Sequence, residues 1–191
     1  MSLKIVNDKT EQEAILLETV SKARRQSYTP EKLCQLQKVI ETQYYYYWLM
    51  DLQKEEFAAD LFSPDFQYFF NNYEVKVNGE EQALRSKWVN RQMVTMHMCH
   101  QPLVWLIDET HARGIFQYED HNMYREDGQL VESWTIYCND FVKNADGIWQ
   151  ISVMRLYQKQ GDGRFRDINP PEGWKPEDWD VRRRQGPDVR N

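Results

Sequence analysis

Apolar residues recur at helical spacing through the first part of the chain and then switch to alternation, so the pattern predicts helices followed by a sheet. Residues from about Thr10 to Arg25 read as one helix, with Ile15, Leu16, Val20 and Ala23 as its apolar stripe. Tyr28-Thr29-Pro30-Glu31 is a restart signal. Thr29 suits an N-cap because its hydroxyl accepts an otherwise unpaired backbone N–H, and Pro30 suits the first helical position because its missing N–H has no partner there. The second helix is expected to run to about Met50, with Leu33, Leu36, Ile40, Tyr44 and Tyr47 near one face. A third, short helix through Phe57, Ala58 and Leu61 is expected to stop at Ser63-Pro64-Asp65. Phe66–Phe70 and Tyr73–Val77 read as short strands, Asn78-Gly79 as a turn, and Glu80 to about Met93 as a further amphipathic helix carrying Ala83, Leu84, Trp88 and Met93.

From there the period is two. Along the segment from Ala112, one face reads Ala112, Gly114, Phe116, Tyr118, Asp120, Asn122 and Tyr124, and the other Arg113, Ile115, Gln117, Glu119, His121, Met123 and Arg125. That contrast marks a half-buried antiparallel strand whose first set faces the core. Asp127-Gly128 turns the chain into Leu130–Lys143, and Asp146-Gly147 into Trp149–Lys159, where Trp149, Ile151, Val153, Arg155 and Tyr157 are expected to share a face. Helices followed by consecutive hairpins predict an α+β domain with helices on one side of a curved antiparallel sheet. The expected division is a helical extension over 1–28, the α+β domain over 29–160 and a tail over 161–191. Pro170, Pro171, Pro176 and Pro187 forbid a regular core element in that tail, while Trp174 and Trp179 are expected to anchor it on its own domain or on a neighbouring subunit.

Several polar residues fall where this pattern demands apolar ones. Asp120 follows Phe116 and Tyr118 on the inward face, where an unpartnered carboxylate costs several kcal/mol. A bulge at Glu119-Asp120 turning it outward is the bland alternative. His97 lies in the extended stretch Val94–His100. His97 and His100, three apart on a strand, point to opposite faces, which argues against a two-histidine metal site. An inward carboxylate on a later strand would instead fix the tautomer of His97 and raise its basicity. Arg155 sits between Val153 and Tyr157, either with its head at the rim or paired with an inward carboxylate or an anionic group. Tyr46 belongs to the run Tyr44–Tyr47, and Asp51 stands five residues on, roughly 140° around an ideal helix. Tyr47 and Asp51, four apart, are the better helical pair, and the helical wheel leaves the choice between Tyr46 and Tyr47 open.

Composition narrows the classes. At 191 residues and 41% apolar, the chain suits one globular domain with terminal additions. Seven Trp, eleven Tyr and eight Phe suit a shape-specific cavity as well as plain core filling. A net charge of −6 argues against general nucleic-acid binding, and Arg182-Arg183-Arg184 reads as a solvated or intersubunit segment. No apolar run approaches the ~20 residues that span a bilayer. The N-terminus has no signal-peptide pattern, and Cys34, Cys99 and Cys138, an odd and scattered set, read as reduced thiols. The expectation is a cytoplasmic protein with no membrane contact, metal or cofactor.

Taken in order, Tyr46–Asp51, Met96–His100, Glu119-Asp120, Asp146–Trp149 and Arg155 resemble the SnoaL-like branch of the superfamily named after nuclear transport factor 2, over residues from about 35 to 157. Within it the pattern is most similar to bile acid 7α-dehydratases and more distantly to scytalone dehydratases. The resemblance implies a cone-shaped α+β fold (cystatin-like), with the N-terminal helices on the concave side of the curved sheet. It also implies a catalytic set of Tyr46, Asp51, His97, Asp120 and Arg155, selecting Tyr46 over Tyr47. His97 oriented by Asp120 would take a proton next to a carbonyl, Tyr46 would hydrogen-bond the oxyanion, Asp51 would orient Tyr46 or a water, and Arg155 would hold Asp120 or an anionic group. Tyr47, Trp88, Cys99, Phe116, Tyr118 and Tyr137 are assigned to the pocket lining. Cys99 departs from the family pattern, which has a glycine there. The implied activity is a cofactor-independent dehydratase, isomerase or cyclase acting on a hydrophobic cyclic carbonyl compound such as a steroid, polyketide or aromatic, in a homo-oligomer (dimer or trimer). The alternative is a non-catalytic binding or assembly module on the same cone, such as a dioxygenase small subunit, which needs no inward His–Asp pair.

Overall fold

Thr29 Oγ1 accepts the backbone N–H of Lys32 at 3.2 Å, and the helix begins at Pro30 where the restart signal predicts it. The computed structural model describes residues 9–70 and 73–161. The elements run α1 (Lys9–Arg25), α2 (Pro30–Asp51), two 3-10 turns (Glu55–Phe57 and Ala59–Leu61), β1 (Phe62–Phe70), β2 (Tyr73–Val75), α3 (Gly79–Arg91), β3 (Met93–Leu106), β4 (His111–Tyr124), β5 (Leu130–Lys143) and β6 (Trp149–Gly161). The expected tail, with its prolines, Trp174, Trp179 and the three arginines, falls beyond Gly161 and outside the described residues.

Helices pack on an unclosed six-stranded sheet of order β2-β1-β6-β5-β4-β3. Strands β3 to β6 pair as the successive antiparallel hairpins that the alternation predicts. β1 runs parallel to β6, so the sheet is mixed rather than wholly antiparallel. No hairpin joins those two strands; the chain between them passes through α3 and other strands, and so long a connection permits parallel pairing.

Two local expectations give way to better-satisfied alternatives. Asn78-Gly79 starts α3 instead of turning a hairpin: Asn78 Oδ1 accepts the Glu81 N–H and Glu81 Oε2 accepts the Asn78 N–H, both at 2.9 Å. A glutamate three residues after the cap makes that reciprocal box available. Ser63-Pro64-Asp65 lies inside β1 rather than ending a helix. The ladder to β6 skips from Phe62 to Gln67, which accommodates a proline with no N–H to donate.

The inner face of the sheet is the one covered by α2, where Val39, Tyr46, Tyr47 and Met50 pack with Phe116, Tyr118, Tyr137 and Phe141 in the main core. α1 lies on the opposite, outer face. Its Ile15 and Leu16 meet Ile115, Cys138 and Tyr157, a second apolar patch that a one-sided arrangement of helices would leave in water. Gln26 Nε2 ties the end of α1 to the carbonyl of Val104 at 2.7 Å.

One irregularity decides where Arg155 points. Between β5 and β6 the register passes from Phe141↔Ile151 to Asp140↔Val153, so Ser152 is an extra, unpaired residue that reverses the alternation. Trp149 and Ile151 face the inner core, and beyond the bulge Met154 takes that face, leaving Arg155 and Tyr157 on the outer one. The single face predicted for Trp149, Ile151, Val153, Arg155 and Tyr157 is therefore split.

Gly114 belongs to the inner row of β4, and a Cβ there would stand 2.7 Å from the Phe116 ring and 3.1 Å from Val104 Cγ2. Phe116 is fully buried and has nowhere to swing. Gly114→Ala is expected to cost about 1–3 kcal/mol through overpacking, read as a lower denaturant midpoint with unchanged slope.

Candidate functional site

Asp51 is the last residue of α2, and that helix end is stapled to the start of β3. Gln53 adopts a left-handed φ of 55°, which turns the chain back so that its Nε2 donates to the carbonyls of Asn90 (3.2 Å) and Met93 (3.3 Å). Asn90 Nδ2 in turn donates to the Met50 carbonyl at 3.4 Å and to buried Glu55 Oε1 at 3.0 Å. These bonds occupy groups that a helix end leaves unpaired and bring the Asp51 carboxylate over β3.

There Asp51 meets His97. Asp51 Oδ1 accepts from His97 Nδ1 and from Thr95 Oγ1 at 3.0 Å, and Oδ2 accepts the backbone N–H of His97 at 2.9 Å. An ionised carboxylate only accepts, so the ring proton belongs on Nδ1 and the lone pair of the neutral imidazole on Nε2. Burial alone would raise the Asp51 pKa, but the His97 ring, its charge, its N–H and the Thr95 hydroxyl outweigh it and hold the carboxyl below its ordinary value. The sign follows from linkage: a depressed folded pKa gives stability that is present above the unfolded value near ~3.9 and is lost as pH falls through the folded one. Asp51→Asn is expected to flatten the acid limb of stability against pH, measured by urea melts across that range.

The imidazole sits against tyrosines. Its ring lies 6.2 Å from Tyr47 and nearly parallel to it, and 5.4 Å from Tyr118 at a tilt of 27°, while Tyr47 stacks on Tyr118 at 5.1 Å. Tyr137 meets Tyr118 and Tyr47 edge-on at 5.0 and 5.5 Å, and Tyr46 lies behind it at 6.5 Å. Burial pushes the phenols of Tyr47, Tyr118 and Tyr137 well above their ordinary pKa, so they remain neutral donors. The Cys99 thiol, on the same row of β3 as His97, is pushed up to about 12, mainly by burial, which makes it a poor nucleophile.

Asp120 is inward and buried as the alternation predicts, and it is the direct register partner of His97 across β3 and β4. Its carboxylate does not orient the imidazole, however. Oδ1 accepts from Ser133 Oγ and Oδ2 from Asn122 Nδ2, the latter at 2.7 Å. The His97 partner is Asp51, which reaches over the strand from the helix end, while neighbours on β4 and β5 satisfy Asp120.

Arg155 is not brought to this cluster. From the outer face its Nη2 donates to Asp140 Oδ2 at 2.8 Å. Arg113 holds the other oxygen of Asp140 and also reaches Glu18 of α1 at 3.3 Å. Tyr46 is buried with its hydroxyl toward Ser86 and Gln82 of α3, and Tyr47 takes the place beside His97, as the four-residue spacing to Asp51 favours. Of the other assigned lining residues, Phe116 is fully enclosed in the core and packs on Phe141 at 6.1 Å, and Trp88 is buried on α3.

Sequence reasoning missed Thr95, Ser133 and Asn122 as partners of the two carboxylates. Thr95 is two residues before His97 on the same strand face, and Val131, Ser133, Thr135 and Tyr137 alternate inward on β5, so strand period alone carried the signal. Among the described residues, no group of three or more His, Cys, Asp or Glu side chains is placed to hold a metal ion, and no helix is long and apolar enough to cross a membrane.

Comparison with known proteins gives the same fold. The sequence signature of the SnoaL-like domain matches residues 31–155. A candidate scytalone dehydratase from Novosphingobium aromaticivorans DSM 12444 superposes with a TM-score of 0.63 at 16% identity, over 75% of this chain and 97% of that one. A type 2 hexachlorocyclohexane dehydrochlorinase gives 0.61 at 16% identity, with the same coverages. A ketosteroid isomerase-like protein from Erwinia carotovora atroseptica SCRI1043 gives 0.56 at 12%, over 66% of this chain and 97% of that one. At such identities the likeness establishes the α+β cone and nothing finer. No curated protein matches the chain, so the nearer likeness to bile acid 7α-dehydratase rests on the residues quoted for it alone.

Proposed function

The chain belongs to the SnoaL-like family, and from that premise we propose a cofactor-independent lyase of the dehydratase type, acting by proton transfer on a hydrophobic cyclic carbonyl compound. The observation that carries this reading is the Asp51–His97 pair set against stacked tyrosines. Asp51 fixes the proton on Nδ1, and Nε2 acts as the base that takes a proton from the carbon next to the carbonyl. The electron pair of that C–H bond moves to the carbonyl oxygen as an enolate. Its return expels a hydroxyl group from the adjacent carbon, and the imidazolium gives the leaving oxygen its proton, so water departs and His97 is neutral again. Asp51 stabilises the imidazolium throughout, and Asp120, one strand away, adds a second negative charge on the same face.

This differs from the sequence expectation in the orienting carboxylate, Asp51 in place of Asp120, and in giving Arg155 no part in the chemistry. The test is to incubate the protein with β-hydroxy ketones built on steroid, polyketide and naphthalene frames and to look for loss of one water by mass spectrometry. The reading expects water loss from at least one frame, and incorporation of solvent deuterium next to the carbonyl. The absence of both signals with every frame contradicts it.

The alternative, a non-catalytic binding module, draws on one observation: Asp120 is bound to Ser133 and Asn122 and not to the imidazole. On that reading His97 is structural, and the frames bind without exchanging a proton.

A further inference from the structure

Two adjacent turns of α2 end in polar atoms that the fold buries and leaves without a partner: Gln43 Nε2 and Tyr47 Oη. The orientation of the Gln43 amide is set from a distance. The backbone N–H of Arg155 only donates, and it donates to Asn139 Oδ1 at 3.1 Å. Asn139 must therefore present Nδ2 on its other side, where Gln43 Oε1 accepts it at 2.6 Å. Amide flips are usually ambiguous, but a relay rooted on a backbone donor has one consistent solution. What remains at its far end is the Gln43 NH2 group, fully buried and without an acceptor. The Ser152 bulge in β6 supports the root of the relay, because the same register change sets the level at which Arg155 N meets Asn139.

Tyr47 is four residues further along the same helix face as Gln43, and its ring lies nearly parallel to His97 at 6.2 Å between centres. Burial keeps the phenol protonated; the Gln43 amide acts on its oxygen as a donor and the Cys99 sulfur lies beside its hydroxyl, both short of a formed hydrogen bond. A buried donor without an acceptor is costly, typically by about 1–3 kcal/mol, and is rarely kept without a use. Two such groups together, beside an imidazole whose tautomer a carboxylate fixes, match the needs of a carbonyl oxygen, which accepts two hydrogen bonds.

We infer that Gln43 Nε2 and Tyr47 Oη are paired donors for the carbonyl oxygen of the bound cyclic compound, holding its neighbouring carbon toward His97. The inference rests on the proposed proton-transfer reading and deepens it. The pair takes the oxyanion role that the family resemblance assigned to Tyr46, whose hydroxyl is turned toward α3. The substrate class is accordingly a ketone rather than an alcohol or a plain hydrocarbon ring. Negative charge developing on that oxygen strengthens both bonds in the transition state.

The experiment compares 2-acetylnaphthalene with 2-ethylnaphthalene, which differ in the oxygen, by calorimetric binding and by the infrared frequency of a 13C-labelled carbonyl. Wild type is expected to prefer the ketone by about tenfold or more and to lower its carbonyl frequency; one net hydrogen bond corresponds to roughly 2- to 12-fold in affinity. Tyr47→Phe and Gln43→Met should each lose several-fold of that preference and raise the frequency, with binding of the hydrocarbon unchanged. Tyr47→Phe removes only a hydroxyl whose contacts with Gln43 and Cys99 stop short of formed hydrogen bonds, so its thermal midpoint should change little, and the result does not depend on Gln43→Met folding. Equal affinity for both probes in wild type, no measurable binding of the ketone, or an unchanged preference and frequency in Tyr47→Phe overturns the inference. None of these readouts needs turnover. Ketone preference lost in the variants without any His97-dependent reaction would uphold the donor pair and refute the enzyme. Turnover through His97 with the preference intact in both variants would do the reverse.

Discussion

Replacing His97 by alanine should lower turnover of any β-hydroxy ketone the protein dehydrates by at least about a hundredfold, while the chain stays folded. General acid–base groups contribute typically about 10²–10⁴-fold, and His97 holds both proton-transfer steps in the proposed mechanism. The fold should survive because β3 is held by its ladder to β4, and because the side chain lost makes one hydrogen bond, to a carboxylate that keeps Thr95 Oγ1 and a backbone N–H as donors. Tyr47 and Tyr118 would still stack on each other at 5.1 Å. Steady-state rates together with far- and near-ultraviolet circular dichroism separate the two effects. Unchanged turnover would remove His97 from the chemistry.

Asp140→Ala should do the opposite: a stability loss of about 3 kcal/mol with no change in the rate of the folded fraction. Asp140 lies between Arg113 and Arg155 beneath α1, and its carboxyl is held below the ordinary range against the effect of burial by those two guanidinium groups. Removing the shared anion leaves two partly buried positive charges facing each other, which is the costly way to break such a network. Urea denaturation measures the loss. Restoration of stability in the double variant Asp140→Ala, Arg155→Met would confirm that repulsion, rather than a cavity, is responsible. A fall in the turnover of folded Asp140→Ala would instead return Arg155 to the catalytic account.

The contrast between these residues marks how far the sequence could be read. Helix starts were legible at Thr29-Pro30 because capping chemistry is local, and the inward placement of Asp120 was legible because β4 alternates without interruption. Arg155 was misplaced because one extra residue, Ser152, inverts a period-two pattern, and nothing in residues 150–153 advertises a bulge. The pairing of His97 with Asp51 instead of Asp120 depends on a helix end lying over a strand 46 residues away. That is a tertiary fact set by Asn90 and Gln53, side chains that look like ordinary surface polars in the sequence. Of the residues the family resemblance names, Asp51, His97 and Asp120 share the inner face, while Tyr47 rather than Tyr46 stacks beside His97, since the two tyrosines differ only in which way the last turns of α2 face. α1 crossed to the outer face for a related reason. Ile115 stands in the nominally polar row of its strand, and only the sheet pairing brings it together with Cys138 and Tyr157 as a second, smaller core.

The central claim is that Asp51 holds the His97 ring as the tautomer protonated on Nδ1, leaving Nε2 as the base. The most direct measurement is the 15N spectrum of the His97 ring under conditions where it is neutral, in wild type and in Asp51→Asn. A protonated, hydrogen-bonded Nδ1 and a bare Nε2 that lose their definition in the variant are the predicted result. A ring protonated on Nε2, or one indifferent to the Asp51 change, would contradict the claim.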